Sequence, residues 1–218
     1  MGLAQAAWEQ SGRPPLLKLS AFDAIRGRDR LNALGVPEGA WYVCLHVRES
    51  GFWDEDADPT NKPRNADIST YQLAVEHIVA AGGWVIRMGD ASMRPLPTIK
   101  GVIDYAGSTL KSDWMDVFLC ATCRFFLGTN SALYHICVSF GVPSTLTNWI
   151  PIASHPLQSK DIFIPKLLSL PAEDRLLSFS EMMTPPRDVW SGRYFARQGI
   201  RVVDNTPEEI LDLVREMM

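Results

Sequence analysis

The stretch that decides the fold is WYVCLHVR, residues 41–48. It opens with five apolar residues and is rich in aromatic and β-branched side chains, a pattern that predicts a buried strand. Because side chains alternate between faces along a strand, Cys44, His46 and Arg48 should share one face and the residues between them the other. The predicted strand therefore ends in a histidine and an arginine, two side chains suited to chemistry.

Other strand-like segments follow this one and alternate with helices. The pattern predicts strands over 84–86, 102–104, 124–127 and 144–146, with further strand-like segments at 16–19, 161–164 and 200–203. Helices are predicted over 22–34, from a capping box at Ser69 and Gln72, after Ser112, after Ser131, and from Thr206 to the end. Alternation of this kind implies right-handed crossovers and a mainly parallel sheet with helices on both faces. The predicted fold class is α/β and Rossmann-like.

Composition narrows the function classes. The chain has 218 residues, 46% of them hydrophobic, with 21 basic and 25 acidic residues and a net charge of -4. This charge gives no general attraction for nucleic acid or anionic lipid, and no apolar run is long enough to span a membrane. We expect a cytoplasmic protein, with peripheral docking at the inner membrane left open.

The cysteines and histidines give weak metal signals. The CxxC spacing of Cys120 and Cys123 has no second pair to complete a zinc site, and all four cysteines lie in apolar segments, so core packing is favoured over redox or metal roles. The four histidines lack metal-binding spacing. We therefore predict no metal site. The motifs GxGxxG, GxxxxGK[ST] and GxSxG are also missing, which disfavours dinucleotide oxidoreductases, P-loop kinases and α/β-hydrolases.

Polar residues follow several predicted strands, at the sheet edge where ligands bind in open α/β folds. Arg87 and Asp90 end the second strand, where they would contact phosphate and sugar hydroxyls or simply pair with each other, the slightly favoured alternative. Asp104 and Tyr105 follow the third strand, where a carboxylate and an aromatic ring can recognise a base.

The turn after the fourth strand is the second predicted anion site. Gly128, Thr129, Asn130 and Ser131 lead into a helix, so backbone N–H groups and the positive end of the helix dipole face whatever lies above. Either Thr129 or Ser131 is equally expected to act as an ordinary helix cap. The turn becomes a stronger candidate for an anion site because Arg48 is predicted to lie beside it. A guanidinium grips phosphate through two parallel hydrogen bonds.

Taken in order, several segments resemble a known family: HVRES (46–50), GGWVIRMGD (82–90), VIDYAGS (102–108), KSDWMDVFLCATCRFFLGTNSALY (111–134), FGVPSTLTN (140–148) and DNTPEEI (204–210). Together they resemble a bacterial family of glycosyltransferases, loosely similar to the GDP-fucose-dependent α1,6- and protein O-fucosyltransferases. The resemblance implies the donor-binding, C-terminal half of the two-domain GT-B architecture. Residues 1–35 would form an N-terminal extension and residues 36–218 a Rossmann-like nucleotide-sugar-binding domain.

The resemblance implies transfer of a sugar from a nucleoside-diphosphate sugar, GDP-linked, to a glycan or other hydroxyl acceptor, without a metal or further cofactor. His46 and Arg48 would contact the donor diphosphate, and Glu49 or Asp54 is the local candidate for general base. The nucleotide-sugar-binding residues would be Arg87, Asp90, Asp104, Tyr105, Thr129, Asn130 and Ser131. The acceptor-binding domain of the family is reduced or absent here, so a separate acceptor-binding subunit or a homo-oligomer is expected.

Two other functions stay open at this point. One is a non-catalytic module that binds a nucleotide or glycan within a larger assembly. The other is a different phosphate-handling enzyme built on the same sheet, since a fold alone does not fix a function.

Overall fold

Six strands lie side by side in a parallel sheet in the computed structural model of this chain, which describes residues 7–8, 10–50, 59–185 and 190–218. Their order is β3-β2-β1-β4-β5-β6. The strands are β1 Tyr42–His46, β2 Trp84–Arg87, β3 Val102–Asp104, β4 Phe125–Gly128, β5 Ser144–Trp149 and β6 Ile162–Pro165. The predicted α/β, Rossmann-like fold with a parallel sheet is confirmed. Asp54, a candidate general base, lies outside the described residues.

The helices are α1 Ala21–Ala33, α2 Gln72–Ala80, α3 Asp113–Thr122, α4 Ala132–Ser139, α5 Phe179–Met183, α6 Gly192–Arg197 and α7 Pro207–Met217. Helices α1, α3 and α4 cover one face of this sheet, and α2 and α7 cover the other. Cys44 packs with buried residues of α1, α3 and α4, whereas Val43, Leu45 and Val47 pack with α2 and α7. The predicted alternation of faces along β1 is therefore confirmed. None of the described helices is both long and apolar enough to cross a membrane.

Two of the predicted helix caps are confirmed. Ser112 accepts a hydrogen bond from the Met115 N–H at the start of α3, and Thr206 and Glu209 form a capping box at α7. The predicted capping box at Ser69 is wrong. Asp67 instead accepts from the Ser69 N–H and caps a 3-10 turn, Ile68–Tyr71, after which α2 begins.

A second, smaller sheet was not predicted. Strands β7 Leu167–Leu170, β8 Arg175–Leu176 and β9 Arg201–Val203 pair antiparallel in the order β8-β7-β9 around their own apolar cluster. The strand-like segment at 200–203 belongs to this sheet and not to the main one. Residues 16–19 form no strand, although the Leu17 N–H donates to the Ser139 carbonyl. The domain boundary after residue 35 stays a prediction.

Buried polar contacts join the two sheets. The Asn205 N–H donates to the side chain of Asn148 in β5 at 2.8 Å. Lys166, between β6 and β7, is 2% exposed, and its ammonium contacts the Asp204 carboxylate at 2.6 Å and the Asn65 carbonyl. These contacts hold the small sheet beside the carboxyl edge of the main sheet.

Candidate functional site

The strand order places a crevice between the carboxyl ends of β1 and β4. The chain passes outward from β1 to β2 and β3 and then crosses to β4 on the other side of β1. In open α/β sheets this switch point is where ligands bind. His46 at the end of β1 is in register with Gly128 at the end of β4. The predicted meeting of the β1 end with the turn after β4 is therefore observed.

Close backbone contacts lock the turn onto β1. Gly128 has φ +146°, and a Cβ built there would lie 1.9 Å from the His46 carbonyl oxygen, so only glycine fits. The Thr129 N–H donates to that carbonyl at 3.0 Å, and the Thr129 hydroxyl accepts from the Arg48 N–H at 2.8 Å. These bonds fix the backbone of Arg48 beside the start of α4.

The two hydroxyl groups of this turn do not cap α4. Thr129 is used in the bond to Arg48, and Ser131, at the N-cap position, makes no side-chain cap bond. The Ser131 Oγ is enclosed and has no hydrogen-bond partner among the residues that the structure describes. Since the first N–H groups of a helix also have no partner within the helix, the turn offers several donors to an anion.

Arg64 is a second guanidinium at the switch point, and no sequence motif marks it. It donates to the Asn130 carbonyl at 3.2 Å, and its guanidinium lies 5.3 Å from the Trp190 ring centre. Burial, and then the positive charge of Arg48, lower the pKa of Arg64. In the sequence, Arg64 lies in a polar segment, residues 50–66, that follows β1. The charges of Arg48 and Arg64 repel each other, and an anion bound near both would offset that repulsion.

His46 is neutral at physiological pH. Burial, followed by the positive charges of Arg87, Arg48 and Lys111, lowers the pKa of His46 to about 4. The residue keeps some exposed surface, but its Nδ1 is enclosed and has no hydrogen-bond partner within the described ranges. The neutral imidazole can therefore donate a hydrogen bond to a ligand or accept one from it, but it adds no positive charge to the site.

Glu49 follows Arg48 in the chain, three residues after the end of β1. Its carboxylate accepts from the Arg94 N–H at 2.9 Å, and partial burial raises the pKa of Glu49. It also lines a cavity of about 870 Å³ between the 3-10 turn Pro59–Arg64 and the small sheet. A carboxylate with a raised pKa at a cavity wall has the properties of a general base.

At the ends of β2 and β3 the structure changes the predicted pairing. The Arg87 guanidinium is buried, and it donates to the Asp104 carboxylate at 2.9 Å and to the Arg94 carbonyl at 2.8 Å. The favoured alternative of an Arg87–Asp90 pair is wrong, because Asp90 instead accepts from the Ser92 N–H within its own turn. Arg87 thus joins β2 to β3, and its positive charge helps to lower the pKa of His46.

Tyr105 lies in the core. Its residue exposure is 0%, and its hydroxyl donates to the Ser112 carbonyl and accepts from the Ser112 N–H. The ring therefore presents no open face for stacking on a base, which corrects the role expected for it. Asp104 keeps a side chain that is 40% exposed beside its bond to Arg87.

The structure thus brings His46, Arg48, Thr129, Asn130 and Ser131 together with Arg64. Glu49 lies at the adjoining cavity, and Arg87 and Asp104 form a neighbouring ion pair. Asp90 accepts a bond within the turn after β2, and Tyr105 lies in the core. In the described part of the chain, no group of three or more histidine, cysteine, aspartate or glutamate side chains has the geometry to hold a metal ion. The four cysteines are free and buried.

No protein-family model and no curated protein matches the sequence. Solved structures do match the fold. The family 9 glycosyltransferase from Veillonella parvula DSM 2008 superposes with a TM-score of 0.54 at 10% identity, over 92% of this chain and 52% of that one. The E. coli ADP-heptose LPS heptosyltransferase II gives a TM-score of 0.55 at 15% identity, over the same two shares.

These matches show that the chain has the α/β fold of about half of a GT-B heptosyltransferase. The chain spans about half the length of either structure. Neither match is a fucosyltransferase, so they give no support to that part of the resemblance seen in the sequence.

Proposed function

We propose that the switch point binds the diphosphate of a nucleoside-diphosphate sugar and that the chain supplies the donor half of a glycosyltransferase. The observation that carries this proposal is that the Arg48 backbone N–H and the Arg64 guanidinium both donate hydrogen bonds to the Thr129–Ser131 turn, between β1 and β4. Pyrophosphate carries its charge on oxygens that guanidinium groups and helix N–H groups bind well. The GT-B fold match supports the same assignment.

In this proposal the chain stabilises the leaving diphosphate. Negative charge on the diphosphate grows as the bond to the sugar breaks, and preorganised donors that face this charge lower the barrier. Arg48, Arg64 and the N–H groups of the turn fill that role. Neutral His46 orients a phosphate or sugar oxygen through one hydrogen bond, and Glu49 takes the proton of the acceptor hydroxyl. No step of this proposal uses a metal ion.

The identity of the nucleotide is a separate part of the proposal. The sequence resemblance predicted GDP, whereas one of the matched structures is an ADP-heptose enzyme, so both bases enter the test. Of the residues predicted to contact the base or ribose, we assign that role to Asp104, whose carboxylate is partly exposed.

A titration tests the donor site. ADP, GDP, UDP and dTDP are added to the wild-type chain, to Arg48→Gln and to Arg124→Gln, and melting is followed. Arg124 is the control because it is also an arginine beside a strand of the main sheet, but it lies over the Trp41 ring at the amino end of β4, on the opposite edge. A ligand at 100 times its Kd stabilises the native state by about 2.7 kcal/mol.

We expect one nucleotide to raise the Tm of wild type and Arg124→Gln, and Arg48→Gln to weaken this binding at least ~10-fold, since it removes a charge-assisted bond. Equal shifts in all three proteins, or no shift with any nucleotide, would refute the donor site. In a radiolabelled-sugar assay, Arg48→Ala should lower transfer at least ~10²-fold.

A non-catalytic nucleotide-binding module is the second candidate. The matched enzymes are only 10% and 15% identical to this chain, so the match shows the fold, and a fold alone does not fix a catalytic function. Nucleotide binding with no release of sugar, with or without a hydroxyl acceptor, would favour the module. Release of sugar that depends on Arg48 would favour the transferase.

A further inference from the structure

The cavity of about 870 Å³ beside Glu49 is separate from the switch point. Its walls come from the 3-10 turn Pro59–Arg64, the segment before α2, the β6–β7 junction, helix α6 and strand β9. At α6, a Cβ built on Gly192 would lie 2.3 Å from the Pro59 carbonyl oxygen, so this helix packs directly on the turn. Cavities of this size hold ligands as large as a disaccharide.

Basic side chains outnumber acidic ones around the cavity. The described lining residues include six cations, namely Lys62, Arg94, Lys166, Arg193, Arg197 and Arg201, and three acids, namely Glu49, Asp67 and Asp204. The whole chain has the opposite balance, with a net charge of -4. The positive charge is therefore concentrated at this cavity and is not a general property of the surface.

Within the described ranges, none of the cavity's acids forms an ion pair with its three outer cations, Lys62, Arg197 and Arg201. Asp204 is paired with buried Lys166 at 2.6 Å, and Asp67 with Arg94 at 3.2 Å. Glu49 accepts the Arg94 backbone N–H at 2.9 Å. Lys62, Arg197 and Arg201 are exposed at the rim, where they raise the local concentration of anions.

We propose that this cavity is the acceptor subsite and that it selects an anionic glycan, one that carries phosphate or carboxylate groups. This inference rests on the proposed function, because Glu49 joins the cavity to the donor site. Guanidinium groups of Arg197 and Arg201 would bind the anionic groups through paired hydrogen bonds, and buried Phe195 and Ile200 give the cavity an apolar floor. The glycan hydroxyl that receives the sugar would then lie toward Glu49.

Binding is measured by calorimetry without donor, so that the test does not depend on transfer. The probes are digalacturonate, glucose 1,6-bisphosphate and, as a neutral disaccharide, maltose. The proteins are wild type, the double variant Arg197→Gln/Arg201→Gln, and the control Lys18→Gln/Lys100→Gln, which removes two exposed charges elsewhere. All the changed residues are exposed, so the variants should fold.

The proposal expects at least one anionic probe to bind more tightly than maltose, and the Arg197/Arg201 variant to weaken that binding at least ~10-fold, with the control unchanged. Equal weakening in both double variants would overturn it, because bulk charge would then explain binding. Binding of maltose as tight as that of the anions, or no binding of any probe, would also overturn it.

A competition separates this proposal from the donor site. Saturating ADP or GDP should leave binding of the anionic probe unchanged, and Arg48→Gln should weaken nucleotide binding without weakening probe binding. Displacement of the probe by nucleotide would assign the anions to the switch point and overturn the acceptor subsite. Failure of nucleotide binding with intact probe binding would refute only the donor site.

Discussion

At the residue scale, the protonation of His46 makes the free energy of unfolding depend on pH. Its pKa of about 4 in the folded chain lies below the ordinary value of 6.5 because of burial and neighbouring positive charges. Between these two values the unfolded chain binds a proton at His46 that the folded chain does not. Stability from this group is therefore complete above pH 6.5 and falls as the pH drops toward 4, by about 3 kcal/mol in total.

We predict that His46→Gln flattens this part of the pH dependence. Urea unfolding at pH 7.5 and pH 4.5 measures the loss of unfolding free energy in wild type, in His46→Gln and in the control His155→Gln. The control changes an exposed histidine. The difference between the two pH values should shrink by about 2 kcal/mol or more only in His46→Gln. A pH dependence that His46→Gln leaves intact would contradict a buried neutral imidazole.

Arg64 carries a second prediction at this scale. Because it shares its electrostatic environment with Arg48, Arg64→Gln should weaken nucleoside-diphosphate binding roughly 10-fold, with a small effect on Tm without ligand. Arg124→Gln, with a similar ring contact on the opposite edge, should bind as wild type. Calorimetric titration gives the comparison. If both variants bind as wild type, Arg64 is not part of the site.

At the element scale, the contact between β1 and β4 depends on one glycine. Gly128→Ala places a methyl group 1.9 Å from the His46 carbonyl oxygen at a φ that alanine rarely adopts, so the strand ends must separate. We predict a loss of unfolding free energy of roughly 3 kcal/mol or more and weaker nucleotide binding. Gly107→Ala, with open space around its Cβ, is the control. Similar urea midpoints for the two variants would contradict this account.

The elements differ in how far the sequence could predict them. β1, β4 and α7 were predicted because hydrophobic runs, Gly128 and the Thr206 capping box are local signals. The small antiparallel sheet was missed because its short strands take their partners from distant segments. The same reason hid Arg64, whose contacts with Asn130 and Trp190 depend on tertiary packing. Tyr105 was misjudged because its position after β3 did not reveal its bond to Ser112.

At the scale of the whole molecule, the Lys166–Asp204 pair holds the two sheets together. Asp204→Asn would leave the ammonium of Lys166, which is 2% exposed, without its carboxylate. Because the Asp204 side chain is 44% exposed, we expect a cost of roughly 1–3 kcal/mol, less than for a fully buried pair. Asp212→Asn, which breaks an exposed pair with Arg215, should cost less than about 1 kcal/mol. Urea unfolding compares the two. Equal small losses would show that the pair does not stabilise the junction of the sheets.

The central claim is that the crevice between β1 and β4 holds the diphosphate of a sugar nucleotide. A crystal structure with the nucleoside diphosphate that raises the Tm most tests it directly. The account predicts the pyrophosphate within about 3.2 Å of the Arg48 guanidinium and of the Ser131 hydroxyl, above the start of α4. A pyrophosphate bound elsewhere on the chain, with Arg48 and Ser131 untouched, would contradict it.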